Sequence, residues 1–275
     1  MFPSVEIGGC GLSTWRLVVV SAVVFCWFLL IKRTRRLGYP TVPVLIFLVI
    51  ELPVGTIGSS LFNRLIPFVF GLKGLELDGL TVIGSIVAAL AFGAVYLKRV
   101  LKTPPLPLLD AAAFTLPLAI GLGRFGCLLN GCCFGTLAPD WAKASVLRVF
   151  TIPAGLYSPL SYAGQTLKAT PGDSLLWNLP VMLMLHELGV LIVAETLYRR
   201  RERWRLPPGT VLAAAVAQES GGRFFLEYLR WDQLVPGTAL NPWQLSVALL
   251  FLVSFALLSV QLARRDGVAA DGASI

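Results

Sequence analysis

The chain has 275 residues, of which 56% are hydrophobic and only 14% charged, with a formal net charge of +8. Soluble domains carry about 25% charged residues, so this composition, with a mean hydropathy of +0.77, excludes an ordinary soluble fold, a disordered tail and a nucleic-acid-binding domain. Five cysteines over this length exclude a disulfide scaffold, and the positive charge bears on membrane topology and anionic lipid.

A helix needs about 20 predominantly apolar residues to cross a bilayer. Seven stretches approach this in chain order: 17–31; 42–61, interrupted by Glu51, Pro53 and Gly55; 80–97; 106–129, carrying Asp110 and Arg124; 175–198; 210–229; and 243–262. The fourth and sixth are the least apolar and are expected to face the protein interior. Lys32, Arg33, Arg35 and Arg36 follow the first stretch, Lys98, Arg99 and Lys102 the third, Arg199, Arg200, Arg201, Arg203 and Arg205 the fifth, and Arg264 and Arg265 the seventh. Placing these clusters inside predicts an all-α polytopic membrane protein of seven helices, N-terminus outside and C-terminus cytoplasmic. The first stretch does not read as a cleavable signal, because its basic cluster comes after the apolar run. Residues 1–265 then form one transmembrane domain with an outer loop at about 130–174, either functional or disordered. Residues 266–275 form a flexible cytoplasmic tail.

Charged residues inside spans are rare and usually functional, and two constellations stand out. The first is Gly121-Leu-Gly-Arg-Phe-Gly-Cys-Leu-Leu-Asn-Gly-Cys-Cys-Phe-Gly135. Its glycines permit close backbone approach, and Arg124 offers a planar, bidentate cation for a phosphate. Helix packing with an arginine snorkelling to the interface is the alternative. The literal G-x-G-x-x-G within it has no preceding strand and is not a dinucleotide fingerprint. The second constellation is Glu219, Arg223, Glu227 and Arg230, whose spacings of four, four and three put them on one helical face. Alone it reads equally well as a structural ion-pair ladder; with Arg124 it offers a clamp for one anionic head group. Cys127, Cys132 and Cys133 match no zinc-ligand spacing, and no histidine cluster accompanies them, so no metal is expected. His186, the single histidine, lies mid-span beside Glu187 and is either a hydrogen-bonded core residue or a proton carrier. Tyr157, Tyr162 and Trp177 are expected to be interfacial anchors.

The stretch Gly123–Gly135 resembles the G-R-x-G-x-x-x-N-G-x-x-x-G signature of the bacterial prolipoprotein diacylglyceryl transferase family, some members of which read Cys-Cys-Tyr-Gly at its end. Gly222-Arg-Phe-Phe-Leu-Glu-Tyr-Leu-Arg230 is similar to that family's later R-F-x-x-E-x-x-R stretch, and Asp110 with its following alanines looks like the run preceding the signature. The resemblance implies transfer of a diacylglyceryl group from phosphatidylglycerol to the lipobox cysteine of a prolipoprotein, with release of glycerol phosphate. It implies the bacterial cytoplasmic (inner) membrane, no cofactor, and phosphatidylglycerol, the prolipoprotein signal-peptide region and bilayer lipid as partners. Arg124 and Arg223 would then stabilise the phosphate, Glu227 would hold an arginine, and Asn130, Gly126 and Gly135 would line and shape the head-group pocket. Arg230, Asp110 and His186 join the substrate-side candidates. The family's Asn and Glu stand here as Cys127 and Cys132, its His-Gly-Gly falls on Asp78 and Gly79, and its Tyr-Gly before the second arginine is Glu219-Ser220. Asp78, Glu219 and His186 are therefore the candidates for a base. Two other readings stay open: a non-catalytic lipid- or lipoprotein-binding paralogue, and a thiol oxidoreductase using Cys132 and Cys133. A transporter is disfavoured, because no inverted repeat is visible.

Overall fold

The structure is a computed structural model that describes residues 4–7, 10–69, 82–231 and 240–273. A short antiparallel hairpin, β1 (Ser4–Ile7) and β2 (Cys10–Ser13), pairs Ser4 with Ser13 and leads directly into α1 (Thr14–Arg36). Next come α2 (Thr41–Val69), α3 (Val82–Arg99), α4 (Pro105–Ala112) and α5 (Thr115–Asn130). The expected fourth span is thus two helices. Pro117 has no N–H to offer the carbonyl of Ala113 and its ring crowds that turn, so the helix breaks at Ala113–Phe114.

Five helical stretches among the described residues are long and apolar enough to cross a bilayer: Thr14–Arg36, Thr41–Leu65, Pro105–Asn130, Leu179–Arg200 and Trp243–Ala263. The protein is accordingly a mostly helical, polytopic membrane protein. Of these five stretches Pro105–Asn130 is the most buried, in line with its poor apolarity. The helix covering the expected sixth span, α9 (Thr210–Leu226), is also internal. It buries Ala213, Ala215, Ala217 and Ser220, and these small side chains let α8 (Leu179–Arg200) and α10 (Pro242–Ala273) close on it. The helix α10 extends to Ala273.

The region at 130–174 carries secondary structure of its own. It contains α6 (Asp140–Lys143), a 3-10 turn at Val146–Phe150, β3 (Thr151–Pro153), a second 3-10 turn at Ala154–Leu156 and α7 (Tyr162–Thr166). The strand β3 pairs antiparallel with β4 (Leu175–Trp177), Thr151 opposite Trp177. The expected fifth span therefore begins as a strand, and its helix starts only at Leu179, with Pro180 in the first turn. Phe134, Ile152, Tyr157, Leu167 and Leu176 form this module's own core. Tyr157 and Trp177 are each 5% exposed and so are core residues, not interfacial anchors; Tyr162 is exposed.

At the end carrying the basic clusters, Arg33 of α1 donates to Glu195 of α8 at 2.7 and 2.9 Å and to the Ala111 carbonyl at 3.2 Å. Its guanidinium also stacks on Phe114 and Tyr198. One arginine thus ties three helical segments together.

Candidate active site

Arg124 lies on the last two turns of α5 and is 7% exposed. The helix ends at Gly131, whose φ of 68° is the left-handed conformation glycine adopts freely. The N–H of Cys132 then reaches back to the carbonyl of Cys127 at 3.1 Å, closing a helix cap in which those two side chains face each other. Beyond the cap the chain runs extended between two neighbours. Gly135 N–H donates to the Trp177 carbonyl at 3.1 Å, Thr136 N–H to the Leu229 carbonyl at 2.8 Å, and Trp231 N–H to the Phe134 carbonyl at 3.4 Å. These bonds join the first motif to the second across nearly a hundred residues. A Cβ on Gly135 would meet Trp177 Cβ at 2.6 Å and the Leu229 carbonyl oxygen at 2.7 Å, so only glycine fits.

The second motif forms the ion-pair ladder its spacing implies. Arg223 Nε donates to Glu227 at 3.2 Å and Arg223 Nη1 to Glu219 at 3.5 Å, while Arg230 Nη1 reaches Glu227 at 3.3 Å. Glu227 lies in a 3-10 turn just past α9, is 2% exposed, and also interacts electrostatically with Arg124. Two guanidiniums thus share one buried carboxylate, which also interacts electrostatically with Arg124. That set is preorganised to hold an anion in a low-dielectric setting.

Glu219 links this cluster to His186. The His186 ring presents Nδ1 to Glu219 at 3.5 Å and to Glu187 at 3.8 Å, with Nε2 3.3 Å from the Gln218 carbonyl. Glu187 is 1% exposed, and neither of its carboxylate oxygens has a hydrogen-bond partner. Its side chain packs one turn from Arg124, where a Cβ on Gly121 would meet Glu187 Cβ at 3.2 Å. The His186 ring occupies the space a side chain at Gly222 would take.

A third cluster lies on the other side of Arg124. The Arg124 Nη1 contacts Cys133 Sγ at 3.7 Å, and Cys133 itself sits at a φ of 57°. Hydrogen bonds from the Cys127 and Cys132 thiols, together with the Arg124 guanidinium, hold the Cys133 thiol well below its ordinary range. Among the described residues, two sets of side chains are close enough to hold a metal ion, Cys127 with Cys132 and Cys133, and His186 with Glu187 and Glu219, the ligand atoms of each set within 4.8 Å of one another.

The remaining candidates are scattered. Asp110 is not brought to the arginines: it caps α9, accepting from Gly209 N–H at 2.7 Å and Leu212 N–H at 2.8 Å. Fifteen residues of helix and turn, about 20 Å, separate that cap from Glu227. Gly126 is a packing position, where a Cβ would meet Val18 and Trp15 of α1 at 3.2 and 3.3 Å. Asn130 ends α5 and is half-buried beside the cap. Asp78 lies outside the described residues. An apolar cavity of about 420 Å³, reaching from Trp27 and Glu51 to Leu116 and Val216, is lined by α1, α2, α3, α4, α5 and α9. Sequence reasoning left Glu187 without a role; its position beside the one histidine was the only signal for it.

Arg124 and Arg223 are thus buried guanidiniums among the helices of a polytopic membrane protein. The family model for prolipoprotein diacylglyceryl transferase matches residues 4–261, and the chain belongs to that family. It is similar to the phosphatidylglycerol–prolipoprotein diacylglyceryl transferase of Symbiobacterium thermophilum, 25% identical over 279 residues, covering 99% of this chain and 96% of that protein. The protein of the same name from Corynebacterium glutamicum is 27% identical over 82% of this chain and 71% of its own length. That from Ligilactobacillus salivarius is 22% identical over 86% and 84%.

Proposed function

We propose that this protein transfers a diacylglyceryl group from phosphatidylglycerol to the thiol of a lipobox cysteine, releasing glycerol phosphate. The observation that carries this reading is the pairing of Arg223 and Arg230 with the buried Glu227, a carboxylate that also interacts electrostatically with the buried Arg124. The donor's phosphate takes its place among the arginines, which Glu227 holds in register. The acceptor thiol, with an ordinary pKa near 8.5, gives its proton to the Glu219–His186 pair, which is coupled to the clamp through Arg223. The thiolate sulfur attacks the glyceryl carbon that bears the phosphate, the carbon–oxygen bond breaks, and its electron pair leaves on glycerol phosphate. The arginines neutralise the developing charge. An acyl chain of the donor fits the apolar cavity beside α9.

This reading brings with it seven membrane crossings, with α3 and α9 completing the five apolar stretches, the N-terminus outside and the basic clusters cytoplasmic. It also places the chain in the bacterial inner membrane, facing the signal-peptide region of its prolipoprotein substrate. The test is to express the chain in a bacterium depleted of its own diacylglyceryl transferase and to weigh a lipobox-bearing reporter by mass spectrometry. The diacylglyceryl adduct on the lipobox cysteine is expected. An unmodified reporter, with the protein present in the membrane and binding phosphatidylglycerol, would overturn the transferase in favour of a lipid-binding paralogue.

A further inference from the structure

We infer that Cys127, Cys132 and Cys133 form a zinc site whose open fourth position takes the acceptor thiol; this inference rests on the transferase reading above. The cap of α5 does the assembling. In such a cap the third residue from the helix end and the second residue past it are brought side against side, and here those residues are Cys127 and Cys132, joined by the 3.1 Å backbone bond between them. The left-handed backbone at Cys133 turns the third sulfur into the same space. All three Sγ atoms lie within 4.8 Å of one another. Zinc–sulfur bonds of about 2.3 Å in a tetrahedron require sulfurs about 3.8 Å apart, so an adjustment of about 1 Å or less closes the site on a metal.

The surroundings suit a thiolate-bound metal. Three thiolates around Zn²⁺ leave one net negative charge, and the buried Arg124 guanidinium, 3.7 Å from Cys133 Sγ, neutralises it and donates to the ligand sulfur. Three protein ligands leave a catalytic zinc its open position. A thiol that binds there is deprotonated outright, with its proton passing to the Glu219–His186 pair. The bound sulfur then forms its bond to the glyceryl carbon while the carbon–oxygen bond to phosphate breaks. The thioether product is neutral, binds the metal weakly and leaves. Arg124 thereby touches a metal ligand, Cys133, while its charge also acts on Glu227 of the phosphate clamp.

The experiment uses the full-length protein, purified under reductant into lipid nanodiscs and dialysed against Zn²⁺ or Co²⁺. One zinc per chain is expected, together with a sulfur-to-cobalt charge-transfer band and the visible spectrum of tetrahedral cobalt. Cys127→Ser, Cys132→Ser and Cys133→Ser should each lose about 100-fold or more in metal affinity, with Cys10→Ser, in β2, as the control. Because a cap variant risks misfolding, phosphatidylglycerol binding is measured on each protein. Retained lipid binding with lost zinc supports the site. Wild-type protein without zinc that still transfers diacylglycerol overturns the metal and leaves the transferase standing. Zinc bound without any transfer overturns the transferase reading instead. Zinc lost in His186→Ala but kept in all three cysteine variants moves the metal to the other cluster and refutes the inference, as does a Cys127–Cys132 disulfide under reductant.

Discussion

The Gly135→Ala substitution puts the joint between the two motifs to the test. The new methyl carbon would lie 2.6 Å from Trp177 Cβ, 2.7 Å from the Leu229 carbonyl oxygen and 2.8 Å from the Trp177 carbonyl oxygen, where ordinary contact begins at 3.4 Å. These neighbours are backbone atoms or lie next to backbone, so no side chain can swing away, and the strand must move by nearly 1 Å. That movement strains the bonds from Gly135 to Trp177 and from Thr136 to Leu229, each worth about 1 kcal/mol, and adds an overpacking cost of about 1–3 kcal/mol. The total is about 3–5 kcal/mol. The same shift separates Cys133 and Arg124 from Arg230, and a 1 Å misplacement costs about 100-fold in rate. The assay pairs thermal unfolding in nanodiscs with single-turnover transfer to a lipobox peptide. Gly123→Ala, in the same motif but with nothing within 4 Å of its added Cβ, should leave the unfolding temperature unchanged. If Gly135→Ala matches wild type in both unfolding and transfer, the strand does not couple the motifs as argued here.

Four further substitutions separate the roles of individual residues. Glu227→Gln removes the carboxylate that Arg223 and Arg230 share and leaves Arg223 its pair with Glu219; breaking a buried ion pair costs about 3–5 kcal/mol, so kcat/KM should fall at least about 100-fold, read in the same transfer assay. Arg124→Ala and Arg223→Ala should each abolish transfer in protein that still folds, and wild-type turnover in both would remove the phosphate clamp. Asp110→Ala removes two bonds from the N-terminus of α9 and should lower stability by about 1–2 kcal/mol with KM for phosphatidylglycerol unchanged; a raised KM with intact stability would return Asp110 to the substrate side.

What could be read along the chain was what depends on near neighbours. Apolar runs longer than a bilayer is thick are local, and the spans from 14 to 36 and from 179 to 200 follow from them. The Glu219–Arg223–Glu227–Arg230 ladder depends on residues three and four apart, so its ion pairs were visible in the spacing. The two glycine- and arginine-bearing motifs pointed to the family that the comparison shows. Long-range placement was not legible. The split of the fourth span hinges on one proline, and the folded module at 130–174 on a strand pairing of Thr151 with Trp177.

The tertiary structure alone decided which polar groups meet. Asp110 and Arg124 share one apolar stretch of sequence, yet the first caps α9 and the second contacts Cys133, because the kink at Ala113–Phe114 separates their surroundings. The three cysteines match no metal spacing when counted along the chain; the helix cap at Gly131 brings two of them face to face, and the left-handed turn at Cys133 adds the third. His186 and Glu219 come from different helices and lie 3.5 Å apart, a proximity that neither one's place in the sequence shows. Sequence patterning determines which segments enter the membrane, because hydrophobicity is a property of each segment by itself. Which charges become partners is set by packing between segments, and only the folded chain brings those segments together.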